Sequence, residues 1–121
     1  MKLNDTSTTL QQLKDLAQNV TNERDWNQFH SPKNLAMYLS IEAGELMEKF
    51  VWSTTEQSYD DVDKKRQEVE YEAADVMILL MLFCNVAKID ISEAVRIKLE
   101  ETKAKYPIEK AKGNPAKYTE L

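Results

Sequence analysis

At 121 residues the chain is long enough for one compact domain and too short for two catalytic domains of ordinary size. Two glycines and three prolines leave too little turn material for an all-β fold or a parallel sheet, and 42% hydrophobic with 31% charged residues excludes both a disordered chain and a membrane protein. A net charge of −5 argues against a nucleic-acid polymer as main partner; residues 96–121 carry a balance of +3, which leaves −8 on residues 1–95. An acidic body with a basic tail suits a divalent cation in one part and a polyanion in the other, or simply two differently solvated faces.

In chain order, Leu10, Leu13, Leu16, Ala17 and Val20 recur at spacings of three and four, which predicts an amphipathic helix over 6–24. Polar residues, two aromatics and a proline interrupt the pattern over 25–32. Pro32 then suits the first position of a second helix running to about Phe50. Residues 53–61 are polar and rich in Ser, Thr and Asp, so a loop is expected. A third helix follows over 62–87. Its segment Val76–Phe83 is apolar on every face, the pattern of a helix buried on all sides. Three other short helices barely surround it, so a second subunit is expected to complete the wall. A fourth helix is predicted over 91–105, with Asp90 or Ser92 as N-cap and Pro107 as its stop. Residues 108–121 show no periodicity and read as an extended or mobile tail. The expected fold is all-α, a single domain over 1–121, with four main helices in an antiparallel bundle completed by dimerisation.

Cys84, the only cysteine, lies in the apolar segment, so a core role and a reducing compartment are expected. The first residues, MKLNDTSTTL, lack the apolar stretch of a signal peptide, and Val76–Phe83 is too short to span a bilayer. A cytoplasmic location without membrane contact is the expectation.

The chemistry is carried by acids. Glu42 and Glu45 stand three positions apart on the second helix, about 60° from each other around its axis, and Glu72 and Asp75 repeat that relation on the third. Acidic pairs at this spacing are also common on solvated faces. Here, however, Asp75 abuts the apolar segment, where an unneutralised carboxylate is costly. Gly44 sits mid-helix between the two acids, at a cost of about 1 kcal/mol against alanine, which either a close approach by a backbone or ligand explains or the helix simply tolerates. Four carboxylates on two packed helices offer hard oxygen ligands with positions left open, which suits Mg2+ and a phosphate substrate. With only His30 and Cys84, di-iron and zinc sites lack ligands, and no nucleophilic triad or glycine-rich phosphate loop is present. Metal-assisted hydrolysis is the chemistry best supported.

Glu42-x-x-Glu45 followed by Glu72-x-x-Asp75 resembles the signature of the all-α nucleoside triphosphate pyrophosphohydrolases, the MazG-like and dCTP pyrophosphatase group. RDWNQFHSPKNL at 24–35, Trp52 at the end of the second helix, AKYP at 104–107 and KYTEL at 117–121 extend the likeness over nearly the whole chain, from about residue 10 onward. The resemblance implies cleavage of a nucleoside triphosphate between its α and β phosphates, yielding monophosphate and pyrophosphate, with Glu42, Glu45, Glu72 and Asp75 as Mg2+ ligands and catalytic residues. It implies that Trp26, Asn27, Gln28, Phe29 and His30, with Trp52, contact the nucleoside. Stacking and hydrogen bonding suit those residue types, although Trp26 and Phe29 also suit a hydrophobic staple and Trp52 a core cap. Glu48 is a candidate water-orienting base or a surface acid. Lys98, Lys105, Lys112 and Lys117, with Tyr118, are candidates for the triphosphate or for a neighbouring subunit's acids, or solvated side chains.

A straight helix over 33–51 is about 28 Å long, so Trp26 and Trp52 of one chain fall near opposite ends. Either the helix breaks or two chains share each pocket, as a homodimer or a dimer of dimers. Positions that carry a nucleoside-contacting His and a pocket Tyr in dCTP pyrophosphatases match Ala17 and Leu79 here, and an Asn before the final YP matches Thr102. The two lost polar contacts loosen cytosine selectivity and favour a broader deoxynucleotide range, including dATP with dCTP. The competing expectation is a non-catalytic helical binding module that uses the acidic groove for a partner.

Overall fold

The structure is a computed structural model that describes residues 2–121. Among them every regular element is helical, as expected: six α-helices and two short 3-10 turns. The chain divides into two compact units, one ending at Lys88 and one from Ile89 to Leu121.

In the first unit α1 covers Leu10–Glu23. It starts later than residue 6 because Thr9 and Gln12 form a capping box: the Thr9 hydroxyl accepts from the Gln12 N–H at 3.1 Å, and Gln12 Oε1 accepts from the Thr9 N–H at 2.7 Å. Asn4 Oδ1 accepts from the N–H groups of Thr6 and Ser7 and holds that segment in a turn instead. Between α1 and the next helix stands the 3-10 turn Asn27–Phe29. Then α2 covers Pro32–Glu48, with Ser31 capping the Asn34 N–H and Pro32 in the first turn.

The expected loop at 53–61 is corrected: α3 occupies Thr55–Lys64. Polar composition concealed a second capping box, Thr54 with Gln57, which starts a helix regardless of its low hydrophobicity. The chain breaks at Lys65, and α4 covers Arg66–Ala87, later than the predicted start at 62.

Helices α1, α2 and α3 pack on α4. The buried apolar core is Leu35 of α2 with Met81, Leu82 and Cys84 of α4. Cys84 has the core role expected of it, and the helices of the single chain leave part of α4 uncovered, as their small number led one to expect. Within α4 Met81, Leu82 and Cys84 are buried, whereas Met77 and Ile78, earlier in the same apolar segment, are 36% and 40% exposed. Three helices cannot close a ring around a fourth, so part of the apolar segment faces outward.

In the second unit α5 covers Ile91–Lys105, with Asp90 accepting from the Glu93 N–H at 3.0 Å as the N-cap. Pro107 stops α5 and opens α6, Ile108–Ala111, because its carbonyl accepts from the Lys110 and Ala111 N–H groups. The expected extended tail is therefore partly structured. Beyond the turn at Gly113 (φ +72°), Tyr118–Glu120 forms a 3-10 turn, and the Tyr118 ring meets Tyr106 edge-on at 5.9 Å. No helix among the described residues is long and apolar enough to cross a membrane.

Candidate active site

Glu42 and Glu45 project from one side of α2 toward α4, where Glu72 meets them. One carboxylate oxygen from each of the three lies within 4.8 Å of the other two. All three residues are half-buried. Glu42 Oε2 and Glu72 Oε2 are shut off from solvent without any hydrogen-bond partner. Such orphaned anionic oxygens are unfavourable unless a proton or a cation satisfies them.

The electrostatics carry the same signature. The Glu45 carboxyl is held above the ordinary carboxylate value, first by its hydrogen bond with Glu42 and then by the Glu42 charge. The Glu72 carboxyl is also raised, first by loss of hydration and then by its hydrogen bond with Glu45, with the Lys49 charge opposing. Three convergent hard oxygen donors, two of them orphaned, fit a divalent cation of the Mg2+ or Ca2+ type.

Asp75 is not one of the three converging acids, although its charge adds to the rise at Glu72. It is exposed rather than stranded inside the apolar segment, because the N-terminal half of α4 is incompletely covered. The cost expected of an uncompensated buried charge there does not arise. Asp75 instead lines, with Glu42, a cavity of about 270 Å³ whose other walls include Ala17, Thr21, Trp26, His30 and Leu79. Apart from the adjoining residues and backbone of α2 itself, no atom among the described residues lies within 4 Å of where a Gly44 Cβ would stand, so packing within this chain does not call for glycine.

Trp26 and His30 reach that cavity from the turn between α1 and α2, and the Arg24 guanidinium sits 5.8 Å from the Trp26 ring centre. Phe29, on the same turn, is 54% exposed. The amide groups of Asn27 and Gln28 are engaged within the chain: Asn27 Nδ2 donates to Asn22 Oδ1 at 2.6 Å, and Gln28 Nε2 donates to the Asp25 carbonyl at 3.0 Å. Trp52, 95% exposed, lies elsewhere, in a cavity of about 350 Å³ with Glu48, Lys49, Lys64 and Lys65. Because α2 runs unbroken for 17 residues, the two tryptophans line separate cavities. Glu48 faces the Trp52 cavity and is exposed. Lys98 and Lys105 both bind Glu101, at 2.8 and 2.6 Å, and Lys105 also lies 4.9 Å over the Tyr118 ring.

Gln18, Thr21 and Asn85 join α1, the turn and α4 without belonging to any motif. Gln18, Thr21 and Asn22 share one helical face at spacings of three and four, which was the available signal of a polar stripe beside the apolar one.

The MazG-like family matches residues 37–121, a span that holds all four acids and the whole second unit. The chain belongs to the MazG-like family. It is similar to dCTP pyrophosphatase 1 of Bos taurus, 33% identical over 115 residues, 93% of this chain and 68% of that protein. It is likewise 35% identical to dCTP pyrophosphatase 1 of Homo sapiens over the same shares. A crystal structure of a pyrophosphatase from Archaeoglobus fulgidus superimposes with a TM-score of 0.80 at 37% identity, over 88% of this chain and 99% of that one. The chain is thus an enzyme, a pyrophosphohydrolase acting on acid anhydrides, and not a binding module alone. MazG-like pyrophosphatases are generally metal-dependent, in keeping with the three-glutamate cluster.

Proposed function

We propose that this MazG-like chain hydrolyses deoxynucleoside triphosphates between the α and β phosphates, releasing monophosphate and pyrophosphate, with Glu42, Glu45, Glu72 and Asp75 holding Mg2+. The observation that carries the reading is the orphaned three-glutamate cluster, which shares Glu42 with the cavity bearing Trp26 and His30. When bound, Mg2+ supplies neutralisation of phosphate charge and activation of the attacking water.

The chain's own residues supply position and selectivity. The Trp26 face stacks on the base, and His30 offers a hydrogen bond to base or sugar. Ala17 and Leu79 line the same cavity with aliphatic side chains, which cannot hydrogen-bond a cytosine edge. The preference for dCTP is therefore relaxed to include dATP, because base discrimination depends on polar groups left unpaired by the wrong ligand. The whole chain, 1–121, acts as one catalytic domain, in the cytoplasm, where it cleans the nucleotide pool.

The working unit is a homo-oligomer, a dimer or a dimer of dimers. Met37 and Ile41 stand on the side of α2 away from Leu35, at 54% and 58% exposure, with Gly44 beside them as a flat spot for close approach, and Val51, 53% exposed, follows in the turn after the helix. Such a face, continuous with exposed Trp52, suits a second copy that brings its own Trp52 to the Trp26 cavity.

Pyrophosphate release from dCTP should require Mg2+ and disappear in Glu45→Ala. No turnover with any of the eight common nucleoside triphosphates would overturn the reading. Mixed oligomers of Trp26→Ala and Trp52→Ala subunits should regain some activity, and no recovery would sink the shared pocket.

A further inference from the structure

We propose that Gln18 is a positioning residue whose amide clamps the turn carrying Trp26 and His30 to α4, the helix that carries Glu72 and Asp75. The proposal rests on the reading of that turn as a nucleoside contact, but the clamp itself rests on geometry. On one side of the amide, Gln18 Oε1 accepts from Asn85 Nδ2 of α4 at 3.1 Å, and the same Asn85 group reaches the Lys14 carbonyl at 3.4 Å. On the other side, Gln18 Nε2 stands 3.0 Å from each of Thr21 Oγ1, Asn22 Oδ1 and Asn27 Oδ1. Two amide hydrogens serve three acceptors, so the bonds are shared among them.

The network reaches the turn twice. Asn27, its first residue, accepts from Gln18 and also from the Thr21 hydroxyl at 2.9 Å. The Thr21 carbonyl accepts from the Trp26 N–H at 3.0 Å. Thr21 is 3% exposed and forms part of the wall of the Trp26 cavity, so the polar network and the cavity share a side chain. Through Gln18, then, α1, the turn and α4 form one hydrogen-bonded unit.

The residue type is demanding. Only a carboxamide both accepts from Asn85 and donates to Asn27, and Asn at this position would be one methylene too short to bridge the helices. Glu keeps the acceptor and loses the donors; Ala loses both. The same bonds assign Asn27 a role in holding the turn, since both ends of its amide are engaged within the chain.

The test uses the full-length protein, with residue-resolved amide exchange and steady-state kinetics on Gln18→Ala and the nearly isosteric Gln18→Glu. The Trp26 and His30 amides should exchange about tenfold faster in both variants, while the interior amides of α1 and α4 keep their protection, which certifies the fold. With Mg2+ and dCTP, KM should rise by about fivefold with kcat within about twofold, the split expected when a binding surface loosens and the metal site does not. Asn85→Ala should shift the same amides in the same direction. Unchanged exchange at Trp26 and His30 would overturn the clamp. Faster exchange with unchanged KM, or a fall in kcat alone, would overturn its service to the site. Absence of turnover in the unsubstituted protein would refute the nucleotide reading, and the exchange arm would still decide the clamp.

Discussion

Acids at helical spacing occur in both units of this chain, with opposite electrostatic outcomes. On α5, Glu101 accepts from Lys98 and Lys105, and its carboxyl is pushed down to about 2, first by the hydrogen bond from Lys105 and then by that from Lys98. Glu93, beside Arg96, is likewise lowered. In the cluster between α2 and α4 the nearest partners of Glu45 and Glu72 are other acids, and both carboxyls are raised. The spacing along a helix therefore does not decide what a pair of carboxylates does. What decides is whether the next side chain in space is a cation or another acid. The first arrangement satisfies itself, and the second is incomplete until a proton or a metal ion joins it.

The largest expected effect that separates the two regions is on activity. Glu45→Gln should reduce pyrophosphate release from dCTP by more than about a hundredfold, as loss of a direct metal contact should exceed the loss of an outer support. Glu101→Gln should leave turnover within about twofold. Either result reversed in a discontinuous pyrophosphate assay would break the comparison.

Next comes metal-linked stability. Added Mg2+ at pH 7 should raise Tm by several degrees, by about 2.7 kcal/mol of binding linkage at a hundred times its dissociation constant. The gain should vanish in Glu45→Gln and survive in Glu101→Gln. Without metal, Glu45→Gln should itself raise Tm, because it removes a like charge from the cluster. A calorimetric scan with and without Mg2+ checks both signs.

A third prediction uses pH on the metal-free protein. Raised folded values at Glu45 and Glu72 mean that the folded state binds protons more tightly than the unfolded state. Their unfavourable contribution is present at neutral pH and relieved as pH falls through the raised values toward 4.5. Glu101 has the opposite sign: its contribution is present above 4.5 and lost as pH falls toward about 2. Tm should thus rise on mild acidification and then decline. Glu72→Gln should flatten the first limb and Glu101→Gln the second. The smallest effect is Glu101→Gln at pH 7, a Tm change of about 2 °C or less, since exposed pairs on one helix contribute little.

Much of the architecture could be read from local signals, and the exceptions are informative. Helices α1, α2 and α5 follow from apolar periodicity, the Ser31-Pro32 start and the Asp90 cap, all of which act within a few residues. α3 is hidden by its polar composition, although the Thr54–Gln57 capping box that starts it is a local signal. The apolar segment of α4 states what the helix can be buried in, and only the packed helices show which of its residues one chain covers.

The sequence by itself determined the all-α class, the placement of Glu42 beside Glu45 and of Glu72 one turn from Asp75, and the separation of Trp26 from Trp52 by a long helix. These follow from chain geometry, which helical rise and twist set without reference to any neighbour. Only the tertiary structure decided that Glu72 joins Glu42 and Glu45 while Asp75 turns to the Trp26 cavity, and that Gln18, Thr21 and Asn27 tie the turn to α4. Those outcomes depend on the rotation of α2 and α1 about α4. That rotation is set by many small side-chain contacts summed across the interfaces, a quantity to which no single motif gives access.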